Sequence, residues 1–172
     1  MLRDLAEKKE ELELSYLAAK EYLVMNKSKS FEICHQDDRS IKDAISILFN
    51  AREVQSLLVR DSVFEKYGVA GLFEMLQNKN LQTLFLDQTT IKNEAAPWLP
   101  KESFKDLKFL QIRASPLEIQ VMAKFFGSLC GQSLRVLSFA CLGFEPGEFK
   151  SFPLLAASTN ITYLEFASCR FS

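Results

Sequence analysis

A short apolar pattern recurs five times along this chain of 172 residues at an almost fixed interval. Each occurrence opens with valine, leucine or isoleucine and places further apolar residues three, five and ten positions later. The five sets are Val54, Leu57, Val59, Phe64; Leu81, Leu84, Leu86, Ile91; Leu107, Leu110, Ile112, Leu117; Leu134, Leu137, Phe139, Phe144; and Ile161, Leu164, Phe166, Phe171. Their interval of about 27 residues predicts a stack of similar units that works through an extended surface.

Composition narrows the class of protein. The chain is 48% hydrophobic with a formal net charge of −1, which favours one well-packed domain and gives no basic field to attract nucleic acid. No apolar run approaches membrane-spanning length and the N-terminus is highly charged, so we expect neither membrane insertion nor a secretory signal. The cysteines, without a C-x-x-C pair, fit free thiols in a cytoplasmic (intracellular) protein. They are Cys34, Cys130, Cys141 and Cys169.

We number positions within each unit from its first apolar residue. Apolar positions four and six flank a variable position five, and this alternation predicts one short strand per unit. About fifteen residues follow, which predicts crossover connections and therefore a curved parallel sheet on the inner side of an arc. Segments 115–130 and 68–76 carry helical apolar stripes. Pro97 and Pro100, and Pro146, Gly147 and Pro153, predict irregular connections in the other two units.

The repeated spelling resembles that of the leucine-rich repeat family, L-x-x-L-x-L-x-x-(N/C)-x-L, in all five units from Val54 to Phe171. The period is similar to that of the longer, helix-bearing intracellular class that includes ribonuclease inhibitor. This resemblance implies an α/β fold, a right-handed solenoid with a parallel sheet on its concave face and mixed helical and irregular convex segments. Position nine departs from the family because its usual asparagine is absent and a cysteine appears only at Cys169.

The pattern also predicts how the ends are organised. Counting back one interval from Val54 reaches Ser28, with Phe31 and Ile33 at positions four and six of a degenerate sixth unit. A helix from Ser40, as its N-cap, to Phe49 follows. Residues 1–27 read as an amphipathic helical cap, or alternatively as a coiled-coil or partner-binding helix. The repeat domain then spans 28–172, with units near 28, 54, 81, 107, 134 and 161.

The last unit raises a further expectation. No convex segment follows Phe171, so we expect either that the repeats continue beyond 172 in a longer protein or that this edge is buried against another molecule, including a second copy.

The variable positions three, five and seven are expected to line the concave face. Aromatic and aliphatic residues beside arginine are typical of protein interfaces. The candidate protein-binding residues are Leu58, Arg60, Phe85, Asp87, Phe109, Arg113 and Tyr163. The charged members could instead neutralise one another along adjacent strands, and the aromatic ones could be covered by neighbouring parts of the chain.

No catalytic motif, metal site or cofactor site is indicated. Phosphate-binding, dinucleotide-binding, zinc-protease and serine-hydrolase patterns are absent from the sequence. Cys34 and His35 are adjacent, and neighbouring residues on a strand point to opposite faces, which disfavours a nucleophile and base pair. Ligation of a metal by Cys34, His35, Asp37 and Asp38 is less expected than an ordinary polar loop.

We therefore predict a non-enzymatic protein–protein interaction module, of adaptor, receptor, sensor or inhibitor type, without cofactor. The alternative is a targeting or regulatory repeat domain of a larger enzyme or immune receptor, such as a leucine-rich repeat ubiquitin ligase or a nucleotide-dependent sensor. A third hypothesis, a GTPase activator similar to the repeat-built Ran activators, would rely on Arg60 and Asp87.

Overall fold

The computed structural model describes residues 30–37, 39–51, 53–77, 79–99, 104–115, 117–129, 133–144 and 160–171. The predicted cap at 1–27, Cys130 and the proline-containing connection at 145–159 lie outside these residues.

Ten strands are present in the described residues. In chain order they are β1 Ser30–Cys34, β2 Ser56–Arg60, β3 Val63–Phe64, β4 Thr83–Asp87, β5 Thr90–Ile91, β6 Phe109–Arg113, β7 Val136–Ala140, β8 Gly143–Phe144, β9 Tyr163–Ala167 and β10 Arg170–Phe171. Six of them form one sheet in the order β1-β2-β4-β6-β7-β9, and every neighbouring pair is parallel. The predicted α/β architecture with a parallel sheet is confirmed, including the strand that Phe31 and Ile33 indicated.

The strands pair position for position. Ser56 faces Thr83, Thr83 faces Phe109 and Phe109 faces Val136, so the same position of successive units is always adjacent. Side chains alternate across a strand, and the apolar positions four and six therefore all point to one side. Position four is 0% exposed in β2, β4, β6 and β7, where it is leucine. Burial of each such leucine stabilises the fold by roughly 1.5 to 3 kcal/mol.

The short strands continue this pairing beyond the main sheet. β3 pairs with β5 and β8 with β10, both in parallel, and an isolated bridge joins Ile91 to Leu117. Positions ten and eleven of neighbouring units are therefore held together after the chain has left the main sheet.

Helices cover the apolar side of the sheet. They are α1 Ile41–Asn50, α2 Tyr67–Gln77, a 3-10 helix at Asn93–Trp98 that contains Pro97, and α3 Ile119–Leu129. The first two match the predicted helices. Helix α3 begins later than the predicted residue 115, because Leu117 at position eleven is held in the bridge to Ile91. Gly71 of α2 lies so close to α1 that an added Cβ would come within 2.9 Å of Ile45 Cδ1.

The N-terminus of α1 differs from the prediction that Ser40 caps it. Ser40 makes no side-chain capping bond to the helix. Instead, Asp37 Oδ1 accepts the backbone N–H groups of Arg39 and Ser40 at 2.9 and 2.8 Å, together with the Ser40 hydroxyl. These bonds favour the carboxylate, and the Ser40 backbone bond above all holds the pKa of Asp37 below its ordinary value.

The chain leaves each main strand through a left-handed residue at position eight. The six residues concerned, none of them glycine, are His35, Asp61, Gln88, Ala114, Cys141 and Ser168, with φ between 45° and 57°. Within the described residues, all of these except Ser168 are followed by another strand of the main sheet. In each of those five, the backbone N–H donates to the carbonyl at position seven of the next unit, as in Ala114 to Ala140 at 2.9 Å. This geometry is unfavourable for residues with a Cβ, so the pairing between units imposes it.

Position nine supplies a chain of hydroxyl groups beneath these turns. Ser62 Oγ accepts the backbone N–H of Gln36 at 3.1 Å and donates to its own unit's Arg60 carbonyl at 2.8 Å. Ser115 accepts the Thr89 N–H in the same way at 2.9 Å. Leu142 interrupts the series at the next unit. Serine and threonine hydroxyls at position nine thus link neighbouring units by hydrogen bonds.

The core is continuous between the sheet and the helices from Ile33 to Leu142. Its thickest part contains the rings of Phe73, Phe104 and Phe125, with centroids 4.8 to 6.4 Å apart. Across the described part of the chain, we find no helix with the length and apolarity needed to cross a bilayer.

Candidate binding face

The side of the main sheet opposite the helices carries positions three, five and seven, and we call it the open face. Position three is Ser30, Ser56, Thr83, Phe109, Val136 and Tyr163; position five is Glu32, Leu58, Phe85, Gln111, Ser138 and Glu165; position seven is Cys34, Arg60, Asp87, Arg113, Ala140 and Ala167. The register therefore brings all seven predicted binding residues onto one surface.

Phe85 is buried, which contradicts its prediction as an accessible binding residue and agrees with the alternative that neighbouring parts of the chain cover it. It is only 4% exposed, and its ring centroid lies 5.1 Å from that of Phe109. Leu58 and Gln111 are its partners on the two neighbouring strands. Because strands lie about 4.8 Å apart, large side chains on both sides cover a residue in the middle of a sheet.

Position three changes character along the sheet. Ser56 and Thr83 are buried, whereas Phe109 and Val136 are partly buried and Tyr163 is 54% exposed. We call Phe109, Val136 and Tyr163 the apolar row. They pair with one another on β6, β7 and β9 and form a continuous apolar surface toward this end of the sheet, whereas Leu58, on β2, is partly buried beside Phe85.

The charged residues of position seven form two separate pairs. Arg113 lies 3.6 Å from Asp87, in agreement with part of the predicted ladder. Arg60 Nε instead lies 2.6 Å from Glu32 Oε1. Glu32 is on β1, the neighbour of β2 on the side away from Asp87. Sequence reasoning missed Glu32, although extending the register to the degenerate unit places it diagonally opposite Arg60.

Asp87 is the most constrained ionisable group on the open face. Burial raises the pKa of this carboxyl, and Asp61 raises it further, while Arg113 and Arg60 lower it. Its Oδ1 atom is buried and accepts no hydrogen bond, and Arg60 Nε is buried without a well-aligned bond despite its proximity to Glu32. Nearby Glu32 is the main cause of the raised pKa of Arg60. These groups neutralise charge within the sheet.

A second polar group occupies position five at the other end. Gln111 Nε2 donates to Ser138 Oγ at 3.3 Å, and Ser138 Oγ donates to Glu165 Oε2 at 2.6 Å. Sequence reasoning did not single out this chain of hydrogen bonds, although its signal was present: position five is polar in three successive units. The bonds leave Gln111 and Ser138 buried but satisfied.

Two exposed cations lie at position two, just before the strands that carry the apolar row. Lys108 precedes Phe109 and Arg135 precedes Val136. Lys108 Nζ contacts Gln82 Oε1 at 3.3 Å, and an Arg135 guanidinium nitrogen donates to the Asn160 carbonyl at 3.3 Å. Both partners are neutral. These cations were missed because only positions three, five and seven were expected to face a ligand.

The remaining sequence candidates do not assemble into a chemical centre. Cys34 is partly buried at the end of β1, while His35 lies in the following left-handed turn. Within the described ranges, no three His, Cys, Asp or Glu side chains form a group that could hold a metal ion. The open face thus offers contact area and charge.

Comparison of the chain with protein-family models and with curated proteins found no match in either case. Its function is therefore inferred from the residues of the open face.

Proposed function

We propose that this protein is a leucine-rich repeat solenoid that binds another protein on the open face, which is its concave surface. The parallel strands, paired in register from one unit to the next, support this interpretation. A solenoid of this kind presents an extended surface whose ligand is chosen by the variable positions.

The observation that carries the proposal is the exposure of the apolar row. Tyr163 is 54% exposed beside the partly buried Val136 and Phe109, on a face where Leu58 is also partly buried and Phe85 is buried. Exposed tyrosine and phenylalanine supply large contact areas with few rotatable bonds, and such residues dominate the free energy of many protein interfaces.

A binding role also agrees with the state of the polar groups. Glu32 is paired with Arg60, Asp87 with Arg113, and Glu165 with Ser138. Carboxylates held in this way shape the charge of a surface. We infer that the open face recognises a partner without transforming it.

The proposal is tested by changing exposed aromatics on opposite sides of the sheet. Tyr163→Ser alters the open face, and Phe49→Ser alters α1 on the helical side, where Phe49 is 72% exposed. Neither change removes a buried ring, so thermal unfolding should be nearly unaffected. We expect a partner captured from native lysate to be lost with Tyr163→Ser and retained with Phe49→Ser.

Retention of the same partner by both variants would contradict the proposal, as would its loss from Phe49→Ser alone. Phe85 is unsuitable for this test because its burial means that a polar substitution would destabilise the fold.

A further inference from the structure

We propose that the partner segment is an acidic, apolar peptide chain that lies across the N-terminal ends of β6, β7 and β9. This inference rests on the proposed binding function and specifies the chemistry of the ligand. The surface consists of the apolar row, Phe109, Val136 and Tyr163, together with the two cations at position two, Lys108 and Arg135.

Backbone hydrogen bonds fix the two cations at neighbouring strands. The Lys108 carbonyl accepts the N–H groups of Arg135 and Val136 at 2.8 and 3.0 Å. The Arg135 carbonyl accepts those of Thr162 and Tyr163 at 2.8 and 3.1 Å. The two side chains therefore leave the sheet edge about one strand spacing, or roughly 4.8 Å, apart.

The charge of this edge is not neutralised within the described residues. Lys108 and Arg135 contact only neutral oxygens there, and Lys105 in the preceding turn is also exposed. Asp106 is the acidic residue of that turn and is partly buried. The opposite edge differs, because Arg60 and Arg113 each have a carboxylate partner. Charge complementarity therefore selects an acidic ligand for the first edge.

The position of the cations also sets how the ligand lies. Each cation lies at the sheet edge, one residue before a member of the apolar row, so a ligand that reaches both would place acidic side chains at the edge and apolar side chains over the row. Glu165 lies two residues beyond Tyr163, roughly 7 Å further along β9, and its carboxylate is bound by Ser138. Because this carboxylate would repel a second one, acidic side chains of the ligand are disfavoured beyond this point on β9.

Aromatic residues beside cations could instead bind single-stranded nucleic acid by stacking. The formal net charge of −1 for the whole chain disfavours that ligand, because nonspecific affinity for nucleic acid comes from positive charge. A peptide ligand is consequently the better match.

The test uses a phage-displayed library of random dodecapeptides on the full chain, followed by fluorescence polarisation of enriched peptides. We expect enrichment of sequences that combine Asp or Glu with Leu, Phe or Trp. Lys108→Glu with Arg135→Glu should weaken their binding by at least about tenfold, because two attractive contacts become repulsive. The matched control, Arg39→Glu with Lys42→Glu, makes the same charge change at exposed residues on the helical side and should leave binding unchanged.

Three results would overturn the inference. In the first, the enriched peptides lack acidic residues and depend on Tyr163 but not on the cations. That result would contradict the acidic ligand and leave the proposed binding function in place. Binding of a short oligothymidine that the charge reversal abolishes would replace the peptide by nucleic acid. Enriched peptides indifferent to both Tyr163→Ser and the charge reversal, or no enrichment, would count against peptide binding on the open face altogether.

Discussion

The middle of the main sheet and its β9 strand have the same residue pattern but different surroundings. At position four, Leu110 and Leu137 are 0% exposed, whereas Leu164 is 49% exposed. At position six, Phe139 is 0% exposed and Phe166, stacked on it at 5.3 Å, is only partly buried. On the open face, Tyr163 is 54% exposed, whereas Phe109 and Val136 at the same position are partly buried.

The difference shows that, at the β9 end of the sheet, a repeated apolar position is fully buried only where strands flank it on both sides. In the part of the chain that the structure describes, β7 flanks β9 on one side, whereas β4, β6 and β7 each lie between two strands. Since adjacent side chains cover one another across strands, half of the coverage comes from each neighbour. The residue pattern determines to which side of the sheet a side chain points, and the neighbouring strands determine how deeply it is buried.

The largest expected effect comes from truncating the same leucine in the two regions. Leu110→Ala should lower the free energy of unfolding by about 2 to 5 kcal/mol, because it leaves a cavity in a fully packed site. Leu164→Ala should cost less than about 1 kcal/mol, because half of that side chain is already in water. Urea unfolding followed by circular dichroism measures both, and equal losses would show that β9 is as deeply covered as β6.

A smaller effect is expected from the bonds beneath the turns. Thr89 is fully buried, and its Oγ1 lies 3.1 Å from the carbonyls of Val59 and Asp87. Thr89→Val keeps the shape and should cost about 1 to 2 kcal/mol, because it removes a buried donor. Cys169, whose Sγ lies 3.6 Å from the carbonyls of Phe139 and Ala167, is the equivalent in the last described unit.

Cys169→Ala should cost less than Thr89→Val in the same unfolding experiment, because a thiol is a weak donor and this one is only partly buried. A larger loss for Cys169→Ala would indicate that burial, rather than donor strength, controls the contribution of position nine.

Backbone strain should not depend on the region. Ala114 and Ser168 have φ values of 45° and 52°, one in the middle and one beside β9. Replacement by glycine removes the Cβ conflict, so Ala114→Gly and Ser168→Gly should each stabilise the fold by about 0.5 to 1 kcal/mol. Thermal unfolding tests this, with Ala140→Gly within a strand as the control, which should be destabilising. A gain at Ala114 alone would mean that the turn beside β9 relaxes by itself.

The smallest effect concerns Asp87, which lies between two strands that each carry an arginine. Its folded-state pKa is above the ordinary value of 3.8 mainly through burial, so the folded protein binds this proton more tightly than the unfolded chain. The contribution of Asp87 to stability therefore falls as the pH rises from about 4 through the raised pKa. The stability of Asp87→Asn relative to wild type should increase over that range, as urea unfolding at several pH values would measure.

Asp37 provides a control of opposite sign. Its pKa is lowered by the bonds from Ser40, so its stabilising contribution is present above the ordinary pKa and is lost as the pH falls through the lowered one. Asp37→Asn should therefore remove stability at neutral pH and not in strong acid. If Asp87→Asn followed this direction too, the ion pair with Arg113 would outweigh burial.

Much of the fold could be predicted because its signals are local. The alternation at positions four to six located the strands, and apolar stripes located α1 and α2. The start of α3 was misplaced because the bridge between Ile91 and Leu117 is a contact between units. The left-handed position eight gave no signal, since residues as different as Gln88 and Cys141 adopt it under the constraint of hydrogen bonds to the next unit.

The surface that forms the candidate site was predicted, but the residues that are accessible on it were not. The register brought Leu58 to Tyr163 onto one face, yet Phe85 proved buried and Arg60 paired with Glu32. Lys108 and Arg135 were overlooked because their exposure depends on how each strand begins. Such features involve side chains that lie a full unit apart in the sequence, and spacing alone does not resolve their contacts.

By itself, the sequence determined the strand interval, the parallel pairing and the side of the sheet that becomes core, because side-chain direction alternates along any extended backbone. Only the tertiary structure decided which residues of the open face remain accessible, which charges are paired and where the backbone turns left-handed. Those properties depend on the neighbours that pairing brings within about 5 Å of each side chain, and these come from other units of the chain.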